Sequence, residues 1–192
     1  MRPRFAFALV SAAFLASAQT SPPPPQHFDL NSKLINVPDG TWTVYGPDQT
    51  NKRLEKDGPQ NYPAYEVSVS RPSKNAWDDG AVTPIPKAIG AGDAILIAVY
   101  LREPALADGQ TDTLPLIGAT GASPPYPAIA GAPANVTNQW KLYFASGKAP
   151  QAFAAGASQV TVHLASAQHV VQLGPVRVYN LGPDFDLNRL PH

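Results

Sequence analysis

Residues Ala94 to Arg102 read AILIAVYLR, with Gly92-Asp93 before them and Pro104 after. The apolar run is short, rich in β-branched residues and fenced by turn formers. Those features predict a central β-strand rather than a helix. Alternation across a pleat puts Ile95, Ile97, Val99 and Leu101 on one face. Leu96, Ala98, Tyr100 and Arg102 fall on the other. The first face is fit for a core. On the second, an aromatic ring stands beside a fork-shaped donor, with the small Ala98 leaving space.

The same period recurs along the chain. Tyr65, Val67 and Val69 alternate with Glu66 and Ser68. Val160, Val162 and Leu164 point one way from Gln159–Ala165, with Thr161 and His163 opposite. Gln139–Ala145 places Trp140, Leu142 and Phe144 on one side, which predicts a core position for Trp140. Thr113–Ile117 is a further strand, and Pro115 predicts that it lies at a sheet edge. Val170–Leu173 and Val176–Tyr179 read as two halves of one strand bulged at Gly174-Pro175. Leu34–Val37 and Trp42–Tyr45 flank an Asp39-Gly40 turn. The 22 prolines and 14 glycines are scattered and cut the chain into short segments, leaving little room for helices. Eight or so short strands of this kind predict an all-β, two-sheet sandwich or jelly roll.

The N-terminus reads as an export signal. Arg2 and Arg4 precede the apolar run Phe5–Leu15, which is too short to span a bilayer, and Ala16-Ser17-Ala18 is a small-x-small cleavage site. Thr20–Gln26 (TSPPPPQ) follows as a stiff polyproline tether. The predicted division is a signal peptide over 1–18, a tether over 19–33, a β-sandwich over 34–182 and a tail over 183–192. The expected location is periplasmic or secreted, with no membrane association after cleavage. The 14 basic and 14 acidic residues balance, and no basic cluster offers itself to nucleic acid. The chain has no cysteine, so disulfides, thiolate metal sites and thiol catalysis are excluded.

Catalytic signatures are sparse. The sequence contains no G-x-S-x-G elbow, phosphate loop, dinucleotide fingerprint or H-E-x-x-H motif. Asp78-Asp79 and Asp184…Asp186 could pair as carboxylates for glycoside hydrolysis, but both sit in turn-like sequence where Asp caps backbone amides. His163 and His169 could share a metal, though histidines in strands are more often structural. No catalytic residue, metal ligand or cofactor is assigned. Trp77 is unusual, because Asn75-Ala76-Trp77-Asp78-Asp79-Gly80 places an indole in a polar turn rather than a core segment. Flat aromatic faces ringed by polar groups suit the C–H face of a sugar.

Three segments resemble the carbohydrate-binding modules of the cellulose- and xylan-binding jelly-roll type found in secreted bacterial glycosidases. They are Gly92-Asp93 with ILIAVYLRE, Asn135–Ala145 (NVTNQWKLYFA), and Val162-His163-Leu164 followed by Val170–Asn180 (VVQLGPVRVYN). The resemblance implies a β-sandwich with a glycan cleft on one sheet, lined by Tyr100, Arg102 and His163 with Trp77 at the rim. It implies a poly- or oligosaccharide partner and no enzymatic activity. Many members hold a structural calcium with a carboxylate in the final strand; Gly174-Pro175-Val176 has none, which speaks against calcium. The alternative reading is a structural or protein-interaction sandwich without a sugar site.

Overall fold

The structure, a computed structural model, describes residues 29–190. The predicted signal peptide and residues 19–28 of the predicted tether lie outside them, while the end of that tether, Leu30–Lys33, forms a short 3₁₀ turn. The described chain forms ten strands: β1 (Thr43–Tyr45), β2 (Gln49–Leu54), β3 (Ala64–Val69), β4 (Gly80–Ile85), β5 (Ala94–Arg102), β6 (Asp112–Gly121), β7 (Ala128–Val136), β8 (Lys141–Lys148), β9 (Ser158–His163) and β10 (His169–Gly182). Helix is confined to three short 3₁₀ turns. One sheet has the order β1-β4-β9-β6-β7 and the other β2-β3-β10-β5-β8, with every pairing antiparallel. This is the predicted two-sheet β-sandwich.

The core lies between the sheets. Ile95, Ile97, Val99 and Leu101 meet Ile117, Val160, Val162 and Val178 there, all fully buried, and Trp42 joins them from the segment before β1. Burying a side chain of this size stabilises by roughly 1.5–3 kcal/mol, so this set dominates the packing energy. β5 is central, between β10 and β8, as its continuous apolar run requires. The Gly92-Asp93 turn before it is built by Gly92 at φ +80°, while the Asp93 carboxylate accepts from the Gly90 amide at 2.7 Å and the Asn180 side chain at 2.6 Å. The two predicted halves at the C-terminus are one strand, β10. Its register against β5 shifts between Leu173 and Val176, at the expected bulge.

Two readings are corrected. Thr113–Ile117 is part of β6, an inner strand between β9 and β7, not an edge. Pro115 is accommodated because the β6–β7 register breaks between Leu114 and Ile117 and pairing with β9 starts only at Leu116, so no ladder bond needs its missing N–H. Trp140 is not in the core. Tyr143 packs against the core from β8 instead, whereas Leu142 and Phe144 face outward. The outward pair is apolar because a second cluster covers it. Leu96, Ala98, Tyr179 and Leu181 pack there under Leu34, Phe185, Leu187 and Leu190.

Candidate functional site

Register builds a concave surface on the outer face of the β1-β4-β9-β6-β7 sheet. Tyr45, Gly80, His163 and Leu116 lie in one cross-strand row, and Val82, Thr161 and Gly118 in the next. Pleating sends Val160 and Val162 into the core and leaves Gln159, Thr161 and His163 outward, as the alternation of QVTVHLA predicts. Gly80 gives the row its depth. A Cβ there would stand 2.5 Å from the Tyr45 hydroxyl, so only glycine lets the phenol lie across the strand.

Two loops wall this surface. The Trp77 turn is tied to the chain just beyond His163, since Leu164 donates to the Asp79 carbonyl (2.9 Å), Ala165 to Ala76 (3.0 Å) and Ser73 to Ala165 (2.9 Å). These bonds bring the Trp77 indole edge-on to the His163 imidazole, with centroids 6.1 Å apart and planes at 62°. On the far side, Tyr126 sits at φ +53° in the loop Ser123–Pro127, its amide bonded to the Ser123 carbonyl at 2.9 Å. A side chain held in the left-handed region is strained and is characteristic of ligand clamps. Trp77 is 57% and Tyr126 52% exposed, although both are large and apolar.

A cleft of about 710 Å³ lies here, with Tyr45, Trp77, Tyr126, Gln159, Thr161 and His163 in its lining beside small and aliphatic residues such as Val82, Leu116 and Ala128. That volume lies in the range of small-molecule sites, roughly 300–1,000 Å³. Burial pushes the Tyr45 hydroxyl up from its ordinary value, so the phenol stays protonated at neutral pH. Burial likewise holds His163 below the usual imidazole range and favours the neutral ring. The cleft is therefore uncharged, with aromatic faces and hydroxyl, amide and imidazole groups between them.

Of the four site residues expected from the sequence, the structure brings Trp77 and His163 together and separates Tyr100 and Arg102 from them. The physical reason is sheet membership: β5 belongs to the other sheet, so its polar face looks out on the opposite side of the sandwich. There the Tyr100 Cβ packs against Gly174. Arg102 donates from Nε to the Gln172 side chain at 2.5 Å and lies 4.9 Å over the ring of Trp140. The Trp140 indole donates to the Asp57 carbonyl at 3.2 Å. Tyr45 and Tyr126 take the vacated places in the cleft. Tyr126 had a readable signal, an aromatic fenced by Pro125 and Pro127 in the same manner as Trp77 in its polar turn.

Three of the carboxylates considered for catalysis have structural hydrogen bonds. Asp78 accepts from the Asn75 amide and side chain, Asp79 is buried with Oδ1 on the Asp48 amide, and Asp186 caps a 3₁₀ turn through Asn188. His163 and His169 fall on strands of different sheets and do not form the metal pair considered above. Among the described residues β10 carries no Asp or Glu, and the Asn36 amide satisfies the Val176 carbonyl and Val178 amide.

The sequence matches no protein-family model and no curated protein. Solved structures are similar in fold. The Clostridium thermocellum xylanase 10B CBM22-1–GH10 modules, complexed with xylohexaose, align with TM-score 0.54 at 19% identity, over 78% of this chain and 28% of that one. The CBM22-1 xylan-binding domain of Paenibacillus barcinonensis Xyn10C aligns with TM-score 0.51 at 14% identity, over 73% of this chain and 86% of the domain. A CBM4 module aligns with TM-score 0.51 at 12% identity, over 79% of this chain and 99% of the module. The fold is that of the carbohydrate-binding modules. The chain thus spans little more than a quarter of the xylanase fragment, and nearly the whole of the isolated modules.

Proposed function

We propose that this carbohydrate-binding-module fold binds a glycan, without catalysis, in the cleft of the β1-β4-β9-β6-β7 sheet. The observation that carries the reading is the convergence of Trp77 and Tyr126, both more than half exposed, on one uncharged cleft with Tyr45 and His163. Aromatic rings stack on the apolar face of a pyranose, and Gln159, Thr161 and His163 are placed to hydrogen-bond its hydroxyls. Most glycoside hydrolysis uses two carboxylates flanking the scissile bond, and the described residues lining the cleft include no Asp or Glu. Trp77 and His163 stay in the site expected from the sequence; Tyr45 and Tyr126 replace Tyr100 and Arg102. The export signal predicted over residues 1–18 would bring the chain to an extracellular or periplasmic polysaccharide.

The similarity to xylan-binding modules sets the first probe. Affinity electrophoresis through gels containing soluble xylan or mixed-linkage β-glucan, followed by calorimetry with xylohexaose, tests the reading on the full chain. Retardation by at least one polysaccharide is expected. A chain that migrates unchanged through a broad panel of soluble glycans and is silent on a glycan array would overturn the proposal in favour of a protein-interaction sandwich.

A further inference from the structure

At one end of the sandwich, three chemistry-bearing side chains converge from three strands. Glu103 follows the last residue of β5, Asp112 opens β6 and His169 opens β10. His169 Nδ1 lies 2.7 Å from Asp112 Oδ2 and 3.0 Å from Glu103 Oε1. The His169 and Glu103 side chains are 5% and 3% exposed, and Asp112 is 28% exposed.

The hydrogen bonds around the cluster fix its polarity. His169 Nε2 faces the Leu164 carbonyl at 2.8 Å. A carbonyl only accepts, so Nε2 carries the proton. Nδ1 faces the two carboxylate oxygens, as a donor to Asp112 Oδ2 when the ring is protonated and as a lone pair open to a metal ion when it is neutral. Asp112 Oδ1 is already used by the Thr113 amide at 2.8 Å, which turns Oδ2 toward the histidine. Glu103 Oε1 is sealed from solvent and accepts no hydrogen bond; its approach to Nδ1 is not aligned for one. A buried imidazole nitrogen facing two carboxylates calls for a cation between them, and either a proton on Nδ1, which the neighbouring carboxylates favour, or a metal ion fills that role.

We propose that Glu103, Asp112 and His169 form a binding site for a divalent transition-metal ion, with Zn²⁺ as the species the donor set fits best. One imidazole nitrogen with two carboxylates is a borderline donor set, too nitrogen-rich for calcium and suited to zinc. Tetrahedral zinc with bonds of ~2.0–2.1 Å spaces its ligand atoms about 3.3 Å apart. The observed 2.7 and 3.0 Å need open by only a few tenths of an ångström. The Leu164 carbonyl supplies the outer support that metal-bound histidines commonly have, holding the ring and its tautomer. The partly exposed Asp112 marks the side from which the ion enters and where water completes the coordination. Because the three ligands come from the two sheets and Leu164 follows His163, a bound ion would cross-link the sandwich directly behind the cleft wall.

The test is a Zn²⁺ titration of the chelator-treated full chain by calorimetry, with thermal unfolding in parallel. The variants are Asp112→Asn, which keeps the size and the amide-capping oxygen, and His169→Gln. Wild type should bind about one Zn²⁺ at a saturable site. At 100-fold excess over Kd it should melt on the order of 5 °C higher than the metal-free chain. Asp112→Asn should fold, lose at least tenfold in zinc affinity and show little melting shift. Zinc binding that survives unchanged in both variants belongs to other histidines and overturns the proposal. So does a wild-type melting temperature indifferent to zinc and to chelator, which would leave a proton on Nδ1 as the cation. Neither result bears on the glycan cleft, whose aromatic residues are untouched.

Discussion

Trp77→Ala separates binding from folding. The indole is 57% exposed and its described ring contact is the edge-on approach to His163, while the turn that carries it is held by backbone bonds from Ser73, Leu164 and Ala165. Those bonds do not depend on the side chain. Loss of one aromatic contact costs about 0.5–1.5 kcal/mol at most, so the variant should unfold within a few degrees of wild type. Binding should respond differently. A stacking platform acting as a hot spot contributes on the order of 1–2 kcal/mol, which is a five- to thirty-fold loss of affinity. Calorimetry on the best-retained oligosaccharide reads that loss, and circular dichroism melts check the fold. Trp140→Ala on the opposite sheet is the matched control and should leave affinity unchanged. If Trp77→Ala binds that oligosaccharide as tightly as wild type while Trp140→Ala does not, the cleft has been placed on the wrong sheet.

Three further outcomes follow from the geometry. Trp42→Ala should cost about 3–5 kcal/mol in urea denaturation, because it empties a core site and strips the Gly174 carbonyl of its 2.9 Å indole donor; Trp140→Ala should cost under about 2 kcal/mol, mostly its stacking with Arg102. Burial lowers the pKa of His163, so the unfolded chain takes up that proton first; its contribution is intact above the ordinary imidazole pKa of about 6.5 and is lost as pH falls through the lower folded value. His163→Gln should therefore flatten the acid side of the stability–pH curve measured by urea midpoints, and an unchanged slope would contradict the burial argument. Tyr126→Ala should weaken glycan binding by a factor similar to Trp77→Ala, with little loss of stability, as calorimetry and melts would show for a ring that is 52% exposed.

The inward faces of β3, β5 and β9 were legible because alternation is a local property of the sequence: Val67, Ile97 and Val162 each sit where their parity places them. Edge strands were less visible. β2 (QTNKRL) is polar on both faces because neither is buried, and β7 (AIAGAPANV) is built from weak strand formers. Leu142 and Phe144, which share their parity with Trp140, misled for a different reason. An outward face can be apolar when another part of the chain covers it, and the residues responsible, Phe185, Leu187 and Leu190, lie some forty positions downstream. The site suffered from the same non-local effect. Parity correctly put Tyr100 and His163 on outward faces, but nothing in either strand states that β5 and β9 occupy different sheets.

That covering explains which face is available for a ligand. A sandwich has two outer surfaces, and here the tail treats them unequally. Residues 183–190 fold back over the β2-β3-β10-β5-β8 sheet, where Lys148 holds the Pro183 carbonyl and Arg189 lies over Phe185 at 5.7 Å. Leu96, Ala98, Tyr179 and Leu181 are thereby buried, and beside them Arg102 is engaged with Gln172 and Trp140, and Trp140 with the Asp57 carbonyl. The β1-β4-β9-β6-β7 face receives no such cover among the described residues. Its apolar and aromatic side chains stand around an open concavity, with Gly80 keeping its floor low enough for Tyr45 to lie flat. Two exposed rings on a concave surface lose hydration cost only when something flat fills the space between them. A linear glycan has the shape and the mixed apolar and hydroxyl surface to do so, whereas a covering segment of this chain already occupies the apolar part of the other side.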